Sequence, residues 1–491
     1  MSYKYLKKLK KVFKSSKLLV LSAEISGANE TPTSLFQKLC HNRKSYLLES
    51  AETVDKFGRY SYIGRHPFLE VKGSDNQVSI YCKDQTIHKT GSPLDIIKDV
   101  IDDYKMPYFE DLPDFIGGAV GYIGYDIIRN YEALGEINFD DMKMPDIHLL
   151  FMEELFIYDH LDNKILVVLN LPVVDDIEST GFKAENRLKK IEDEIMNHYN
   201  HSHQSAEKIC QNTMPAISNE TKPEFMKKVL KAKAYIAAGD IFQVVLSQRF
   251  QIETQVHPFA VYNTLRKINP SPYMFFIDFE SYTLVGSSPE MLIKVKNNLI
   301  ETVPIAGTRP RGKTPDEDAL LAKELLEDEK ERAEHLMLVD LARNDVGKIS
   351  EFGAVKLTNY MDIQKYSHVM HIVSNVVGYL RKEYNMFDAL AACLPAGTVS
   401  GAPKIRAMQI IDELENNKRG VYAGAVGCIG FNGNMDTCIA IRTIVFKDQI
   451  ASIQAGAGIV ADSDPESEYV ETLRKAKALT YAIKKTEEDL A

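Results

Sequence analysis

Between residues 17 and 170, short apolar runs alternate with Gly, Asn, Asp and Pro. The runs read "KSYLLESA", "YSYIGRHPFLEV", "QVSIYC", "FIGGAVGYIGYD", "IHLLFMEELFIYDH" and "KILVVLNL". Their lengths and bounding residues predict strands. Over 181–199 the pattern becomes charged with helical spacing, which predicts a helix. The stretch "NHYNHSHQSAEKICQNTMPAISNETKP" is polar and aperiodic, and reads as a linker. A new helical pattern starts at Thr221. Thr221 suits an N-cap and Pro223 falls in the first turn. Phe225, Val229, Ala232 and Ile236 share a face, and Gly239 is a stop. From there strands and helices interleave to the C-terminus. The pattern divides the chain into a strand-rich domain over 1–205, a linker over 206–220 and a second domain over 221–491.

Length supports that division, because 491 residues exceed one ordinary core. A net charge of -10 argues against nucleic acid as a main partner. No apolar run approaches the length of a transmembrane helix, so no membrane partner is expected. The basic start "MSYKYLKKLKKVFKSSK" has no apolar h-region, and reads as a solvated helix face rather than a targeting signal. Six cysteines without a C-x-x-C pair read as small buried hydrophobes in a reducing cytoplasm. His198, His201 and His203 read as part of a polar loop, since no Cys or carboxylate is spaced with them for a metal.

Chemistry enters with the carboxylates. Thr314 and Glu317, with Pro315 between, predict a capping box. On the helix that follows, Glu331 and Glu334 share a face, and Leu338 and Leu341 continue that side inward. A second helix, capped by Asp464, places Glu468, Glu471 and Lys475 on one stripe. Either pair alone reads as an ordinary solvated face. Together they suggest a hard, oxygen-ligated cation such as Mg²⁺, completed by a carboxylate or phosphate substrate. Three Gly-rich stretches read as loops with cations nearby. They are "VPIAGTRPRGKT" with Arg309, Arg311 and Lys313, "LPAGTVSGAPK" with Thr398 and Lys404, and "AGAGIV" at 455–460. Such loops suit a small polyanion. Walker A and dinucleotide fingerprints are absent.

Long motifs carry a resemblance. "GDIFQVVLSQRF", "SSPEML", "PIAGTRPRG", "DEKERAEHLMLVDLARND", "YSHVMHIVSNV", "LPAGTVSGAPKIRAM", "GVYAGAVGCIGF", "IAIRTIV" and "QAGAGIVADSDPESEYVET" resemble the chorismate-utilising enzyme family, in its anthranilate synthase component I branch. The likeness spans nearly the whole chain. It implies an α+β fold, an antiparallel β-sandwich core with surrounding helices, and a lyase that uses chorismate and Mg²⁺. Residue by residue, it implies Glu334 and Glu471 as metal ligands, with Glu331 and Glu468 holding metal-bound water. It implies Tyr422, Arg442, Lys475 and the amides of Gly456, Ala457 and Gly458 around the two substrate carboxylates, with Gly307, Thr308 and Thr398 also at the substrate. Glu290 matches a general acid that protonates the departing C4 hydroxyl, which needs a raised pKa. His371 matches a residue tied to elimination of pyruvate, with Thr308 among the catalytic set.

Two positions bear on the nucleophile. Isochorismate and salicylate synthases have Lys where this chain has Gln243. Gln cannot act as a base, so water is not the expected nucleophile. Many aminodeoxychorismate synthases have a nucleophilic Lys where Ala306 stands, so ammonia is expected to add directly at C2. "LLES" and "NPSPYMFF" resemble a tryptophan inhibitor site, formed by Glu49, Ser50, Pro270, Ser271, Pro272, Tyr273 and Met274. No cysteine sits in a Gly-framed nucleophile elbow, so a separate glutamine amidotransferase subunit is the expected ammonia source. The nearest enzyme alternative is aminodeoxychorismate synthase component I. A non-catalytic tryptophan or chorismate sensor is the alternative of another class.

Overall fold

The computed structural model describes residues 17–26, 30–40, 44–51, 58–83, 85–135, 138–173, 177–196, 215–366 and 369–490 of the chain. The basic residues before 17, the three linker histidines, Cys210 and linker residues 206–214 lie outside the described residues.

The six apolar runs are strands: Ser45–Glu49, Tyr60–Ser74, Gln77–Cys82, Gly118–Ile123, Ile147–Asp159 and Lys164–Pro172. The strand Gln85–Thr90 was silent in the pattern because Ile87 is its only large apolar residue, and its whole length is exposed. It is held by its ladder to Gln77–Cys82. The predicted charged helix is Ile177–Met196. Helix Lys222–Ala237 is capped by Thr221, whose side chain and that of Glu224 satisfy each other's backbone amides. Thr314 caps Pro315–Glu327 by accepting the Glu317 amide at 3.2 Å, but the expected return arm is redirected. The Glu317 carboxylate takes the Lys313 amide instead, at 2.7 Å.

The fold is α+β, built on antiparallel ladders. The ladders cross the 206–220 segment: Glu49 pairs with Met274, and Ile123 with Ala425. Period-2 alternation sorts strand residues between apolar clusters, four of which occur among the described residues. Phe275 and Leu284 enter the larger core with Val71, Leu149 and Val426. Their neighbours Phe276 and Val285 enter the second, under helices Pro258–Ile268 and Pro465–Leu490, with Tyr262, Leu479 and Ile483.

Two stretches expected to be loops are strands. Ile305–Pro310 pairs with Val369–Tyr379 and bulges between Ala306 and Arg309, where Gly307 takes φ 68°. Ile450–Ile459 pairs with Gln243–Glu253. Glycine content suggested turns, but the ladder partners lie far away in the chain. Cysteine burial is also uneven: Cys393 and Cys438 are buried, whereas Cys40, Cys82 and Cys428 are only partly so.

Candidate functional site

Four elements converge on one cleft. The strand Gln243–Glu253 meets Ile450–Ile459, and the helices Glu329–Ile349 and Pro465–Leu490 bring in carboxylates and Lys475. In an antiparallel ladder, the N–H and C=O of one residue point to the same side and alternate along the strand. Lys475 Nζ donates to the Gly456 carbonyl at 3.0 Å, so Gly456 turns its backbone away from Gln243–Glu253. Gly458 shares that side, while Ala457 faces the ladder. A Cβ on Gly456 would stand 2.8 Å from Tyr422 Oη, and one on Gly458 would stand 2.5 Å from Gln243 Nε2. At Gly456 the Leu246 carbonyl and Val245 would also stand 3.0 Å away, so a side chain would be crowded, whereas at Gly458 the amide end of Gln243 would have to move.

Gln243 is buried. Its side chain hydrogen-bonds Glu334. Its Oε1 is a buried acceptor without a partner. Burial first, and then the charge of Glu331, push the Glu334 carboxyl up from its ordinary range. Burial lowers the Lys475 pKa although Glu471, Glu290 and Glu334 surround it. Lys475 Nζ stands 3.9 Å from Glu471 Oε1. Arg442 donates to the Lys475 carbonyl at 2.8 Å, and burial lowers its pKa too. Both cations are buried, and that burial outweighs the carboxylates around them.

Glu290 follows the strand Thr283–Ser288. It accepts from Thr398 Oγ1 at 2.9 Å. Burial raises its pKa, outweighing Thr398, Lys475 and Arg442. It is thus a carboxyl biased toward the protonated form beside two cations. His371 Nδ1 lies 2.8 Å from the Gly307 carbonyl and 3.1 Å from Thr308 Oγ1. A carbonyl only accepts, so Nδ1 carries the proton and Nε2 keeps a lone pair. Burial lowers the His371 pKa. Ala306 is nearly buried on the same strand as Gly307. Tyr422 is buried, and its phenol is pushed up to about 12, chiefly by burial.

Several basic residues expected to face an anion are used internally. Arg309 pairs with Asp328 at 2.7 Å and Glu331 at 3.3 Å. Arg311 pairs with Asp318 at 2.8 Å. Lys404 pairs with Asp345 at 2.6 Å. Spacing showed the cations but not these partners. Arg309 also places Glu331 against a guanidinium, and Glu331 Oε2 would lie 3.0 Å from a Cβ on Gly307. Glu468 lies on the same helix as Glu471, one turn earlier. No group of three His, Cys, Asp or Glu side chains able to share an ion occurs among the described residues. An ion here would take one or two carboxylates and complete its shell from water and substrate. That suits Mg²⁺, and the raised pKa of Glu334 marks a carboxylate wanting positive charge.

A model of chorismate binding enzymes matches residues 44–481. The chain belongs to the chorismate-binding enzyme family. Anthranilate synthase component 1 of Acetivibrio thermocellus is 50% identical over 99% of this chain and 100% of that protein. The protein of that name from Aquifex aeolicus is 47% identical over 98% of both. The crystal structure of anthranilate synthase component I from Streptococcus pneumoniae superposes with a TM-score of 0.76. It has 39% identity and covers 93% of this chain and 99% of that one. This chorismate-binding protein is accordingly an enzyme, and its relatives place it in the lyase class.

A second feature of this chorismate-binding enzyme is a cavity of 410 Å³. Glu49, Ser50, Pro272, Tyr273 and Met274 line it; Pro270 and Ser271 do not. Ser271 is instead buried, accepting from Ser287 Oγ at 2.9 Å. Glu49 accepts from Tyr262 and, at 3.0 Å, from Arg266. Ser50 Oγ is buried with no partner. Tyr60, Tyr62, Cys428 and Met435 also line it. The sequence pattern carried no sign of them, because they come from other strands.

Proposed function

We propose that the chain is the aminating subunit of an anthranilate synthase, turning chorismate and ammonia into anthranilate and pyruvate. The observation that carries this reading is Glu290, a carboxyl whose pKa burial raises, beside the buried cations Lys475 and Arg442. A dicarboxylate would satisfy those cations, Tyr422 and the free amides of Gly456 and Gly458. Glu290 then donates its proton to the leaving C4 hydroxyl. Gln243 Oε1 accepts an N–H of ammonia, and Ala306 leaves the C2 side without a competing nucleophile. Glu290, Thr398 and Thr308 orient the ring end. Nε2 of His371 holds its lone pair for the later elimination that releases pyruvate and aromatises the ring. Mg²⁺, held by Glu334 and Glu471 with Glu331 and Glu468 behind them, would neutralise a substrate carboxylate.

Nitrogen is delivered by a separate glutamine amidotransferase subunit. The described thiols support this: burial pushes Cys40, Cys393 and Cys438 up to about 12, far from a working nucleophile. Tryptophan fills the 410 Å³ cavity as inhibitor, its ammonium on Glu49 and a hydrogen bond on Ser50. In this reading residues 1–205 supply much of the regulatory wall and 221–491 the chemistry, in a cytoplasmic biosynthetic enzyme.

The test is an assay with chorismate, Mg²⁺ and ammonium salt, following anthranilate fluorescence and pyruvate together. Equal appearance of both is expected, with none from glutamine alone. Pyruvate-free turnover would point instead to an aminodeoxychorismate product and sink the reading.

A further inference from the structure

A buried ion pair that the proposed chemistry leaves unused lies beside the cleft. Glu415 and Arg419 follow the helix Lys404–Leu414, and both are buried. Arg419 Nε donates to Glu415 Oε2 at 2.9 Å, and Nη2 donates to Oε1 at 2.6 Å. The same Oε1 accepts from the Ser247 amide and hydroxyl, each at 2.8 Å. Arg419 Nη2 also donates to the Val245 carbonyl at 2.8 Å. Val245 and Ser247 belong to the strand Gln243–Glu253, so the pair is fastened to that strand at two residues. The guanidinium lies over the rings of Tyr422 and Tyr125, 5.4 and 4.9 Å from their centroids. One nitrogen reaches elsewhere. Nη1 donates to the Val399 carbonyl at 2.7 Å, in the short turn Gly397–Val399 that carries Thr398. Thr398 Oγ1 in turn donates to Glu290 Oε2 at 2.9 Å.

We infer that Arg419 is a positioning residue: its planar fork holds the turn carrying Thr398 against the strand, and so keeps the Thr398 hydroxyl on Glu290. A carboxyl oxygen that accepts from a hydroxyl is the one without the proton, so Thr398 leaves the acid proton to Glu290 Oε1. A proton donor is useful only when it is held close to its working geometry. The turn is tied to the strand at two adjacent residues. The Val245 amide donates to the Ser400 carbonyl at 2.9 Å, and Arg419 holds Val399, the residue next to Thr398. A buried ion pair adds little net stability once desolvation is counted, whereas a guanidinium sets a geometry that an ammonium cannot. Arg419 acts on Glu290 only through Thr398.

The inference rests on Glu290 acting as the acid in turnover. The test is a double-mutant cycle in the full chain, with Thr398→Val and Arg419→Lys. Turnover with ammonium is followed as loss of chorismate, so the choice of product does not enter. Thr398→Val is expected to lower kcat about twentyfold. Arg419→Lys keeps the charge but not the fork, and is expected to lower kcat about tenfold with KM for chorismate within about threefold. The double variant should stay within about twofold of Thr398→Val, whereas independent effects would multiply to about two-hundredfold. Multiplying losses, or Arg419→Lys at the wild-type rate, overturns the inference. A raised KM with kcat kept places the effect on Tyr422 and also overturns it. Melting curves check folding. If Arg419→Lys does not fold, Arg419→Met with Glu415→Gln takes its place in the cycle, since it leaves no unpaired buried charge. Failure of both to fold makes the pair a structural brace and overturns the inference. Full turnover in Glu290→Gln would remove the acid itself, and this inference with it, whatever the cycle showed.

Discussion

Two buried polar clusters in this molecule contain the same kinds of residue and solve opposite problems. Around Glu70, every group is satisfied. Its carboxylate accepts from His148 Nε2 at 2.7 Å, Lys44 at 2.7 Å and Lys72 at 2.9 Å. Burial by itself would raise the Glu70 pKa, but those bonds hold it well below the usual carboxylate range. His148 Nδ1 in turn takes the Tyr282 hydroxyl, at 2.5 Å, and its ring stacks on Phe279 at 4.0 Å. Around Glu290 the balance runs the other way. Burial wins over its partners, Lys475 and Arg442 are pushed down, and Gln243 Oε1 has nothing to accept. A completed network fixes structure; an incomplete one leaves charge and hydrogen bonds for a visitor.

The comparison breaks most readily at its functional end. Glu290→Gln should cut turnover by about a thousandfold, because an amide has no useful proton to give. Its melting temperature should stay within about 2 °C, since a frustrated carboxyl contributes little to stability. A large loss of stability with modest loss of rate would make Glu290 a structural residue like Glu70.

The converse change is Glu70→Leu. Removing the acceptor of a buried network should cost about 3 kcal/mol in urea unfolding. Turnover per folded molecule should stay within about twofold. If turnover collapsed while stability held, the two clusters would have been assigned the wrong way round.

Acidification tests the satisfied cluster more gently. Burial lowers the pKa of His148 and of His335 from 6.5 to about 4. The unfolded chain therefore binds these protons first, so stability is full above about pH 6.5 and falls as pH drops toward 4. Each histidine should cost about 2 kcal/mol by pH 5. Urea midpoints at pH 7 and pH 5 measure this, and His148→Phe should roughly halve the difference. Equal midpoints in the wild type would contradict the assignment.

The smallest effect is expected at a cation that looked like an anion-binding residue by position. Arg311→Gln should change KM for chorismate by less than about twofold, because its guanidinium is engaged with Asp318. Arg442→Gln should raise KM by at least about tenfold. Similar effects from both would place Arg311 in the cleft after all.

Much was legible along the chain where the controlling interaction is local. Thr221 and Glu224 cap the same helix turn, and Glu331 and Glu334 lie one turn apart. The strands flanked by turn residues also appear where the pattern puts them. Stretches whose partners are distant were misread. Gly456 and Gly458 suggested a loop because glycine is scarce in strands, yet they lie in a strand with Tyr422 and Gln243 packed close against them. Arg309, Arg311 and Lys404 advertised an anion, and the anions are Asp328, Glu331, Asp318 and Asp345.

By itself, then, the amino-acid sequence determined most of the elements and their caps, the alternation that sorts side chains between cores, and the chemical types available to the site. Those follow from steric and hydrogen-bond preferences acting within a few residues. The tertiary structure alone decided which charges are spent and which remain. Whether a carboxyl is held ionised like Glu70 or pushed toward its acid form like Glu290 depends on burial and on donors arriving from other elements: Lys44, Lys72 and His148 for one, Thr398 for the other. Desolvation and Coulomb forces act through space, and the chain order of the groups does not enter them.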